Sequence, residues 1–466
     1  MLPAMLPQPK PGFLEALRAA LPKARLLTEP VDTEGYRFDE TEFLHPGRPL
    51  GVIFPKNTSD VQAIVRLAAA HHIALVPRGA GTGLSGGAIA VEGALTVVMT
   101  QMDRIIEIDE ANLCAVVQPG VINADLGRAA AAKGLFYAPD PASFETCTIG
   151  GNLAENSGGL RCVKYGVTRD AVLALEVVLA DGAVIRTGGK TVKDVMGYDL
   201  SHLFIGSEGT LGIITEATLR LLPKPAPTLT LLAFFPTVAD AGDAVARMTR
   251  AGLVPVTLEL MDNFTIRAVD GAMRLGLDRD AGAMLMIESD AGGSAAEAEL
   301  DAATEACQSA HALSVVRSAD PAEADWLREA RRKAHWSLEQ AGAARMDDVG
   351  VPRSRVPEML AAIERVAAAR GARIGVFGHV GDGNLHPTYV LDRDDPSAEA
   401  QLDAVRGDIY AAALALGGTL SGEHGTGVAK RGYLERQRGV DAVRVMRAVK
   451  AALDPLGILN PGKVLA

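Results

Sequence analysis

Three histidines and a glutamate occur in two short motifs that could hold a metal ion. In HVGDGNLH, His379 and His386 flank a Gly-Asp-Gly-Asn turn, with strand-like residues on each side. A β-hairpin here would let both imidazoles face one point. In SGEHGTG, Glu423 and His424 lie in a glycine-rich loop. Two imidazoles and a carboxylate suit a divalent cation such as zinc, iron or manganese.

The same residues also have a simpler interpretation. A histidine beside a turn is commonly a polar surface residue, and an Asp-Gly turn needs no ligand to explain its glycines. The residues alone therefore leave two alternatives, a metal site and a plain polar hairpin.

Three glycine-rich loops lie in the first half of the chain, each beside strand-like segments. They are PRGAGTGLSGG at 77–87, TIGGNLAENSGG at 148–159 and GSEGTLGII at 206–214. Glycines at alternate positions let successive backbone N–H groups converge on an anion, because no Cβ blocks the approach. A tight turn would explain one such loop. Three of them together predict a long ligand with a pyrophosphate, such as a dinucleotide.

The first loop also matches the Rossmann fingerprint, with Gly81, Gly83 and Gly86 in the required spacing and Asp103 further along the chain. That fingerprint requires a helix to begin inside the loop. The following residues, AIAVEGALTVVMT, are rich in β-branched types and contain a glycine, which is not typical of a helix. We therefore expect a different dinucleotide-binding fold.

The elements that must position these motifs form an α+β pattern. Helices are expected at 12–28, at 61–72 with Thr58 or Ser59 as the cap, at 237–251, at 357–370 and in much of the chain after 396. Strands are expected at 50–54, 73–77, 95–99, 113–117, 172–179, 183–186, 229–235, 255–260, 373–378 and 385–391. A proline-rich joint, LLPKPAPT, marks a domain boundary near residue 224.

Composition restricts the class of protein. A chain of 466 residues is expected to form two or more domains. The net charge of −11 and the lack of a basic stripe argue against a nucleic-acid partner. The four cysteines form no CxxC pair, which favours buried thiols in a reducing compartment. No signal-peptide pattern and no long apolar run occurs, so we expect a cytoplasmic protein that is not integral to a membrane, with docking on the inner face left open.

The motifs resemble those of a known family. PRGAGTGLSGG, PDPASFETCTIGGNLAENSGGLRCVKYGVTRD and GSEGTLGIITEATLRLLPKP are similar to the FAD domain of the vanillyl-alcohol oxidase type. HVGDGNLH and SGEHGTG resemble its 2-hydroxy-acid branch, which includes glycolate oxidase FAD subunits, D-lactate dehydrogenases and D-2-hydroxyglutarate dehydrogenases. The resemblance runs from about residue 40 to the C-terminus. It implies a two-part FAD-binding domain at 1–224, an α+β cap domain for the substrate at 225–415, and a segment at 416–466 that returns to the FAD domain.

The resemblance also implies a set of cofactor-binding residues. The first loop would hold the FAD pyrophosphate, and the other two would line the flavin, the ribityl chain and the adenosine. The residues expected to bind FAD are Arg78, Gly79, Ala80, Gly81, Thr82, Gly83, Leu84, Ser85, Gly86, Pro139, Asp140, Thr148, Gly150, Gly151, Asn152, Asn156, Glu208, Ile213, Ile214 and Asn460. Some relatives attach FAD through a histidine in or near the first loop. Residues 77–87 contain none, so we expect non-covalent FAD.

By the same resemblance, His379, His386 and Glu423 are the metal ligands, and His424 is the base beside the flavin. A metal bound to a hydroxyl group lowers its pKa, and a histidine near neutral pKa can then accept the proton. The hydride passes to N5 of the flavin. Arg328 matches a substrate-binding arginine of the family, which would form a fork for the substrate carboxylate. An exposed helix charge is the alternative interpretation of Arg328.

The expected activity is FAD-dependent oxidation of a small 2-hydroxy acid to the 2-oxo acid. Met346 stands where dicarboxylate members have a lysine, which favours glycolate or D-lactate. The alternatives are a D-2-hydroxyglutarate dehydrogenase, an FAD subunit that passes electrons to partner subunits, and an FAD-dependent alcohol or sugar oxidase. No iron–sulfur ligation pattern is present, so electrons must leave through a dye, quinone, cytochrome or partner protein.

Overall fold

The computed structural model describes residues 11–41, 43–318, 321–395 and 397–465. It divides into two compact units. The first consists of the described parts of Met1–Gly158, Gly166–Lys224 and Glu423–Ala466, and the second of those of Gly159–Tyr165 and Pro225–Gly422. The expectation about a signal peptide partly concerns residues 1–10, which lie outside the described residues.

The first unit contains two main sheets. Its strands are β1 Arg25–Leu27, β2 Gly51–Phe54, β3 Leu75–Arg78, β4 Leu95–Val98, β5 Ile105–Asp109, β6 Cys114–Val117, β7 Leu135–Phe136, β8 Val172–Val178, β9 Val184–Arg186, β10 Ile213–Arg220 and β11 Leu222–Pro223. The first sheet has the order β1-β2-β4-β3, with β2, β4 and β3 parallel. The second is antiparallel, in the order β5-β6-β10-β8-β9, and β11 pairs separately with β7. The first glycine-rich loop begins at the end of β3 and leads to β4 without a helix, so a Rossmann arrangement is absent there.

The second unit is built on one antiparallel sheet. Its strands are β12 Leu229–Phe235, β13 Thr257–Asp262, β14 Ala283–Ser289, β15 Ser314–Arg317, β16 Ala343–Met346, β17 Val349–Gly350, β18 Ile374–His379 and β19 Asn384–Leu391. The order is β15-β12-β14-β13-β18-β19-β16, and β17 also pairs with β19. The hairpin of β18 and β19 thus lies inside the sheet, which explains why all six residues of β18 are buried.

The helices number sixteen among the described residues. They are α1 Phe13–Ala20, α2 Pro30–Thr33, α3 Thr58–His71, α4 Asn123–Ala131, α5 Ile149–Glu155, α6 Cys162–Tyr165, α7 Ser201–Phe204, α8 Val238–Arg250, α9 Asn263–Met273, α10 Gly293–Ser309, α11 Pro321–Arg332, α12 Ala334–Glu339, α13 Val356–Arg370, α14 Ala398–Ala415, α15 Leu434–Arg438 and α16 Val440–Leu453. Over the described residues, no helix has both the length and the apolar character to cross a bilayer.

Two local predictions were wrong. The expected helix at 12–28 ends at Ala20, and the chain then forms strand β1. Pro22 explains the end, because the residue before a proline disfavours helical backbone angles. Helix α3 is capped by Asn57, whose side chain accepts the N–H of Asp60 at 2.9 Å, and not by Thr58 or Ser59.

The C-terminal segment belongs to the core of the first unit. Ile458 and Leu459 are fully buried in the cluster that contains helix α3 and the strands of the first sheet. Leu459 forms a parallel bridge with Leu75 at the edge of β3. Ile458 and Leu459 therefore lie beside strand β3, from whose end the first glycine-rich loop begins. Three of the four cysteines are buried and all are unbridged, as the composition predicted.

Candidate functional site

A cleft in the first unit is lined by residues of all three glycine-rich loops. The expected FAD-binding residues that line it are Arg78, Gly79, Ala80, Gly81, Thr82, Gly83, Thr148, Gly150, Gly151, Asn152, Glu208, Ile213 and Ile214.

Glycine is required where the first two loops meet. A Cβ at position 79 would lie 2.3 Å from Oγ1 of Thr148, and one at position 150 would lie 2.5 Å from Cβ of Pro119. The Thr148 hydroxyl caps helix α5 by accepting the N–H of Gly151 at 3.2 Å. Gly79 can approach Thr148, and Gly150 can approach Pro119, this closely only because neither glycine has a side chain. The result is a cradle of peptide groups, which fits the pyrophosphate expected of a dinucleotide.

Arg78 supports the first loop from within. It is 7% exposed, and its guanidinium donates to the carbonyl oxygens of Phe38 at 2.6 Å and Ala88 at 3.4 Å. A Cβ at Gly81 would lie 2.0 Å from this guanidinium, so glycine is needed there as well. We conclude that Arg78 orders the loop in addition to lining the cleft.

The other expected cofactor residues lie outside the lining of the cleft: Leu84, Ser85, Gly86, Pro139, Asp140, Asn156 and Asn460. Several of them hold the loops in place. The side chain of Asn460 donates to the carbonyls of Gly87 at 2.9 Å and Glu208 at 2.6 Å. Asn156 ends helix α5 with a φ of +57°, and its side chain accepts the N–H of Arg169. Their expected contact with FAD stays a prediction.

Lys463 completes the support behind the first loop. Its ammonium donates to the carbonyls of Gly86 at 2.9 Å and Ile89 at 3.0 Å, and the residue is 3% exposed. Burial lowers the pKa of Lys463 to about 8, and the nearby carboxyls of Asp39 and Glu208 oppose that shift. The sequence motifs did not point to Lys463, because it lies in the C-terminal segment and far from the loops in the chain.

Two glutamates, Glu155 of the second loop and Glu208 of the third loop, line the cleft. Burial raises the pKa of Glu155 well above its usual range, and the neighbouring Glu208 carboxyl raises it further. Burial also raises the pKa of Glu208, although the N–H groups of Gly427 and Thr426 oppose the shift. Glu155 lies within the second loop, which was expected to line the flavin. The sequence analysis missed Met99, Pro119 and Phe204, which line the cleft from outside the glycine motifs.

The second unit brings the two hairpin histidines together. His379 ends β18, and His386 lies on β19 opposite Phe377. The imidazole centroids are 5.2 Å apart, with the rings nearly perpendicular at 86°. Both histidines are buried, at 6% and 3% exposure. The hairpin and the approach of its two imidazoles were predicted from the turn and the strand pattern.

A buried carboxylate stands behind His379. Oε1 of Glu259, on β13, lies 2.7 Å from Nδ1 of His379, and Oε2 lies 2.7 Å from Nε of Arg331. Glu259 is 1% exposed and Arg331 is 4% exposed. A carboxylate at one ring nitrogen fixes the orientation of the imidazole and makes the other nitrogen a better ligand. The sequence analysis predicted a site role for neither residue.

Asp348 forms hydrogen bonds both to the hairpin of β18 and β19 and to Ser421, which precedes Glu423 and His424 in the chain. It is fully buried, and it accepts the Asn384 amide at 2.5 Å and the Ser421 hydroxyl at 3.1 Å. Its Oδ1 is 4.0 Å from Nδ1 of His386. A Cβ at Gly422 would lie 2.2 Å from the Asn384 side-chain nitrogen. The segment thus passes beside the hairpin immediately before the chain reaches Glu423.

Glu423 and His424 lie in the first unit, where Oε1 of Glu423 is 3.8 Å from Nε2 of His424. The Glu423 carboxylate occupies the space beside Gly158, since a Cβ there would lie 2.3 Å from its Oε2. This contact explains one glycine of the second loop and shows that Glu423 packs against it.

Arg328 lies on helix α11 of the second unit, where its guanidinium is held by three residues. It forms ion pairs with Glu288 and Asp325 and donates to the Thr228 hydroxyl at 3.1 Å. Met346 lies at the end of β16, opposite Thr388, and packs against the main core of this unit. The expected role of Arg328 at a substrate carboxylate stays a prediction.

Comparison with known families identifies the chain. The family described as FAD linked oxidases, C-terminal domain, matches residues 224–464, and the FAD binding domain family matches residues 49–188. The chain belongs to the FAD-linked oxidase family. It is therefore a flavoprotein oxidoreductase, as the glycine-rich loops and their resemblance predicted.

Relatives of this FAD-linked oxidase match it over almost its full length. Glycolate oxidase subunit GlcD of Bacillus subtilis is 45% identical, covering 92% of this chain and 92% of its own. A D-lactate dehydrogenase of Anaerostipes hadrus is 35% identical over 97% of both chains, and a D-2-hydroxyglutarate dehydrogenase of Xanthomonas citri is 36% identical over 96% of both.

Solved structures agree on the fold of the FAD-linked oxidase. p-Cresol methylhydroxylase matches with a TM-score of 0.83 and 17% identity, covering 99% of this chain and 98% of its own. 4-Ethylphenol oxidase of Gulosibacter chungangensis matches with a TM-score of 0.77 and 20% identity, covering 100% and 99%. The predicted α+β fold of the vanillyl-alcohol oxidase type is thereby confirmed.

Proposed function

We propose that the chain oxidises a small 2-hydroxy acid to the 2-oxo acid, with FAD as the electron acceptor and a divalent metal at the substrate hydroxyl. One observation carries the proposal: the perpendicular pair His379 and His386, with Glu259 behind His379. A flavoprotein needs no such histidine pair to bind FAD. The names of the relatives, which include glycolate oxidase and D-lactate dehydrogenase, support the same substrate class.

The donor set fits zinc, iron or manganese. Because Nδ1 of His379 faces Glu259, Nε2 is the ring nitrogen that would take a cation. His386 would supply the second nitrogen, and Glu423 is proposed as the carboxylate ligand. When bound, the metal would act as a Lewis acid that lowers the pKa of the substrate hydroxyl.

His424 is proposed as the base that accepts the hydroxyl proton. An imidazole with a pKa near neutral both accepts and releases a proton at physiological pH. FAD, held non-covalently in the cleft, would take up the two electrons released at C2. Arg328 is proposed to bind the substrate carboxylate. Its guanidinium now forms ion pairs with Glu288 and Asp325, and at least one of these pairs would have to break when the substrate binds.

The size of the substrate is proposed from Met346. A thioether cannot pair with a distal carboxylate, which favours glycolate or D-lactate over D-2-hydroxyglutarate. The second candidate function is that of an FAD subunit that passes electrons to partner subunits, and the name of the Bacillus subtilis relative favours it. The proposed electron acceptor is a quinone, a cytochrome or a partner protein. We also propose a cytoplasmic location, with docking on the inner face of the membrane as the alternative.

Anaerobic bleaching of the flavin tests the proposal. The purified chain is mixed separately with glycolate, D-lactate, L-lactate and D-2-hydroxyglutarate, with and without a chelator. Bleaching by glycolate or D-lactate that is lost on chelation is the expected result. A yellow protein that none of these acids bleaches would contradict the substrate class, and bleaching that survives metal removal would contradict the metal.

A further inference from the structure

The segment that follows His424 is bound by one buried carboxylate. Oε1 of Glu208 accepts the N–H groups of Thr426 at 2.7 Å and Gly427 at 3.0 Å, and Oε2 accepts that of Gly427 at 2.8 Å. Glu208 lies in the third glycine-rich loop and is 5% exposed. Both carboxylate oxygens are thus used by the backbone that follows His424.

Glu208 is itself held at its backbone. Its N–H donates to the carbonyl of Ala154 at 2.9 Å, and its own carbonyl accepts the Asn460 amide at 2.6 Å. Its φ is +52°, in the left-handed region, which is strained for a residue with a side chain and persists only where the surroundings enforce it. The carboxylate therefore has a fixed position against which the segment is set.

Close packing on either side limits the movement of this segment. Gly425 has a φ of +87°, and a Cβ there would lie 2.1 Å from Oε2 of Glu155 and 3.2 Å from Oε1 of Glu208. A Cβ at Gly427 would lie 2.0 Å from the carbonyl oxygen of Ser85. That same carbonyl accepts the N–H groups of residues 428 and 429. Residues of all three glycine-rich loops thus contact the backbone that follows His424.

We propose that Glu208 is a positioning residue that sets the place of His424, and that it does not bind the cofactor through its carboxylate. This rests on the proposed function, in which His424 is the base. A base must stand within hydrogen-bond reach of the proton that it takes, and a displacement of about 1 Å costs on the order of 10²-fold in rate. The third glycine-rich loop would then serve both the FAD cleft and the placement of the base.

Two substitutions test this role against a matched control. Glu208→Gln leaves one acceptor oxygen in place of two, and Glu208→Asp keeps the charge on a shorter side chain. Glu216→Gln is the control, because Glu216 lies on β10 outside the lining of the cleft and pairs with Arg186. We expect both Glu208 variants to keep FAD at one per chain while kcat per bound flavin falls about 10²-fold with a smaller change in KM. The control should match the unsubstituted chain.

Hydrogen–deuterium exchange adds a readout that does not depend on turnover. The amides of Thr426 and Gly427 should exchange slowly in the unsubstituted chain and faster in Glu208→Gln. Loss of FAD in proportion to activity, with kcat per bound flavin unchanged, would show that Glu208 binds the cofactor and would overturn the proposal. Exchange that is fast in the unsubstituted chain would overturn it even if the variants do not fold. If the chain oxidises no hydroxy acid, the proposed function fails, but the exchange experiment still decides whether Glu208 holds the segment.

Discussion

Oε1 of Glu259 lies 2.7 Å from Nδ1 of His379, and the other oxygen of the same carboxylate lies 2.7 Å from Arg331. All three side chains are nearly inaccessible to water. Leaving any one of them without its partner would strand a buried polar or charged group, which is costly. The arrangement holds Nδ1 of His379 against Glu259 and leaves Nε2 as the other ring nitrogen.

Glu259→Gln is expected to weaken metal binding by about 10- to 100-fold, because the amide no longer supports the imidazole as a carboxylate does. Metal titration of the stripped protein measures the effect. Glu358→Gln is the control, since that carboxylate is half exposed and pairs with Arg355. Equal metal affinity in the two variants would refute the role of Glu259.

His424→Ala is expected to keep FAD and lose turnover, because loss of a general base lowers the rate by about 10²- to 10⁴-fold. The visible spectrum measures bound flavin, and anaerobic reduction by substrate measures the rate. His202→Ala serves as the control, since His202 is half exposed and pairs with Asp199. A His424→Ala variant as active as the control would remove His424 from the mechanism.

Gly79→Ala is expected to reduce FAD affinity strongly. The new Cβ would lie 2.3 Å from the Thr148 hydroxyl, so the first two loops would have to separate. Gly127→Ala is the matched control, because a Cβ added to this glycine of helix α4 would point into open space. Alanine there should stabilise the helix by about 0.5–1 kcal/mol. Quenching of FAD fluorescence by the apoprotein compares the two affinities. Equal FAD affinities of the two variants would show that FAD binding does not depend on the close contact between the first and second loops.

Lys463 predicts a pH dependence of stability. Its pKa falls from 10.5 to about 8 on folding. When the pH lies between these two pKa values, Lys463 carries a proton in the unfolded chain but not in the folded chain. Lys463 therefore makes the free energy of unfolding increase as pH rises, by up to about 3 kcal/mol.

Lys463→Met should remove that contribution. The difference in unfolding free energy between the unsubstituted chain and the variant, measured with urea, should therefore grow from pH 7 to pH 10. Comparison with Lys133→Met, which removes an exposed lysine paired with Glu110, controls for general charge effects. Parallel pH profiles for the unsubstituted chain and Lys463→Met would contradict the buried ammonium.

The parts of the site that the sequence predicted are those governed by local rules. Glycine-rich loops and the turn of the 379–386 hairpin depend on residues close together in the chain, where backbone freedom and strand alternation apply directly. The Rossmann alternative was set aside for the same reason, since the residues after the first loop favour a strand. These expectations needed no knowledge of tertiary packing.

The supporting residues could not be predicted, because their partners are distant in the chain. Glu259 and His379 are 120 residues apart, and Lys463 and Gly86 are 377 apart. Nothing in the residues around Glu259 distinguishes it from any strand glutamate until the sheet places β13 beside β18. The seven residues Gly159–Tyr165 gave no sign that they belong to the second unit.

The path of the chain has a consequence for how the protein acquires its cofactor during synthesis. Residues 159–165 anchor to Asp290 through Lys164 and Tyr165, and the first glycine-rich loop is supported by Asn460 and Lys463. A nascent chain that extends only to residue 224 contains the three loops but none of these supports. FAD is therefore expected to be loaded only after Asn460 and Lys463 have been synthesised and have folded back against the first loop.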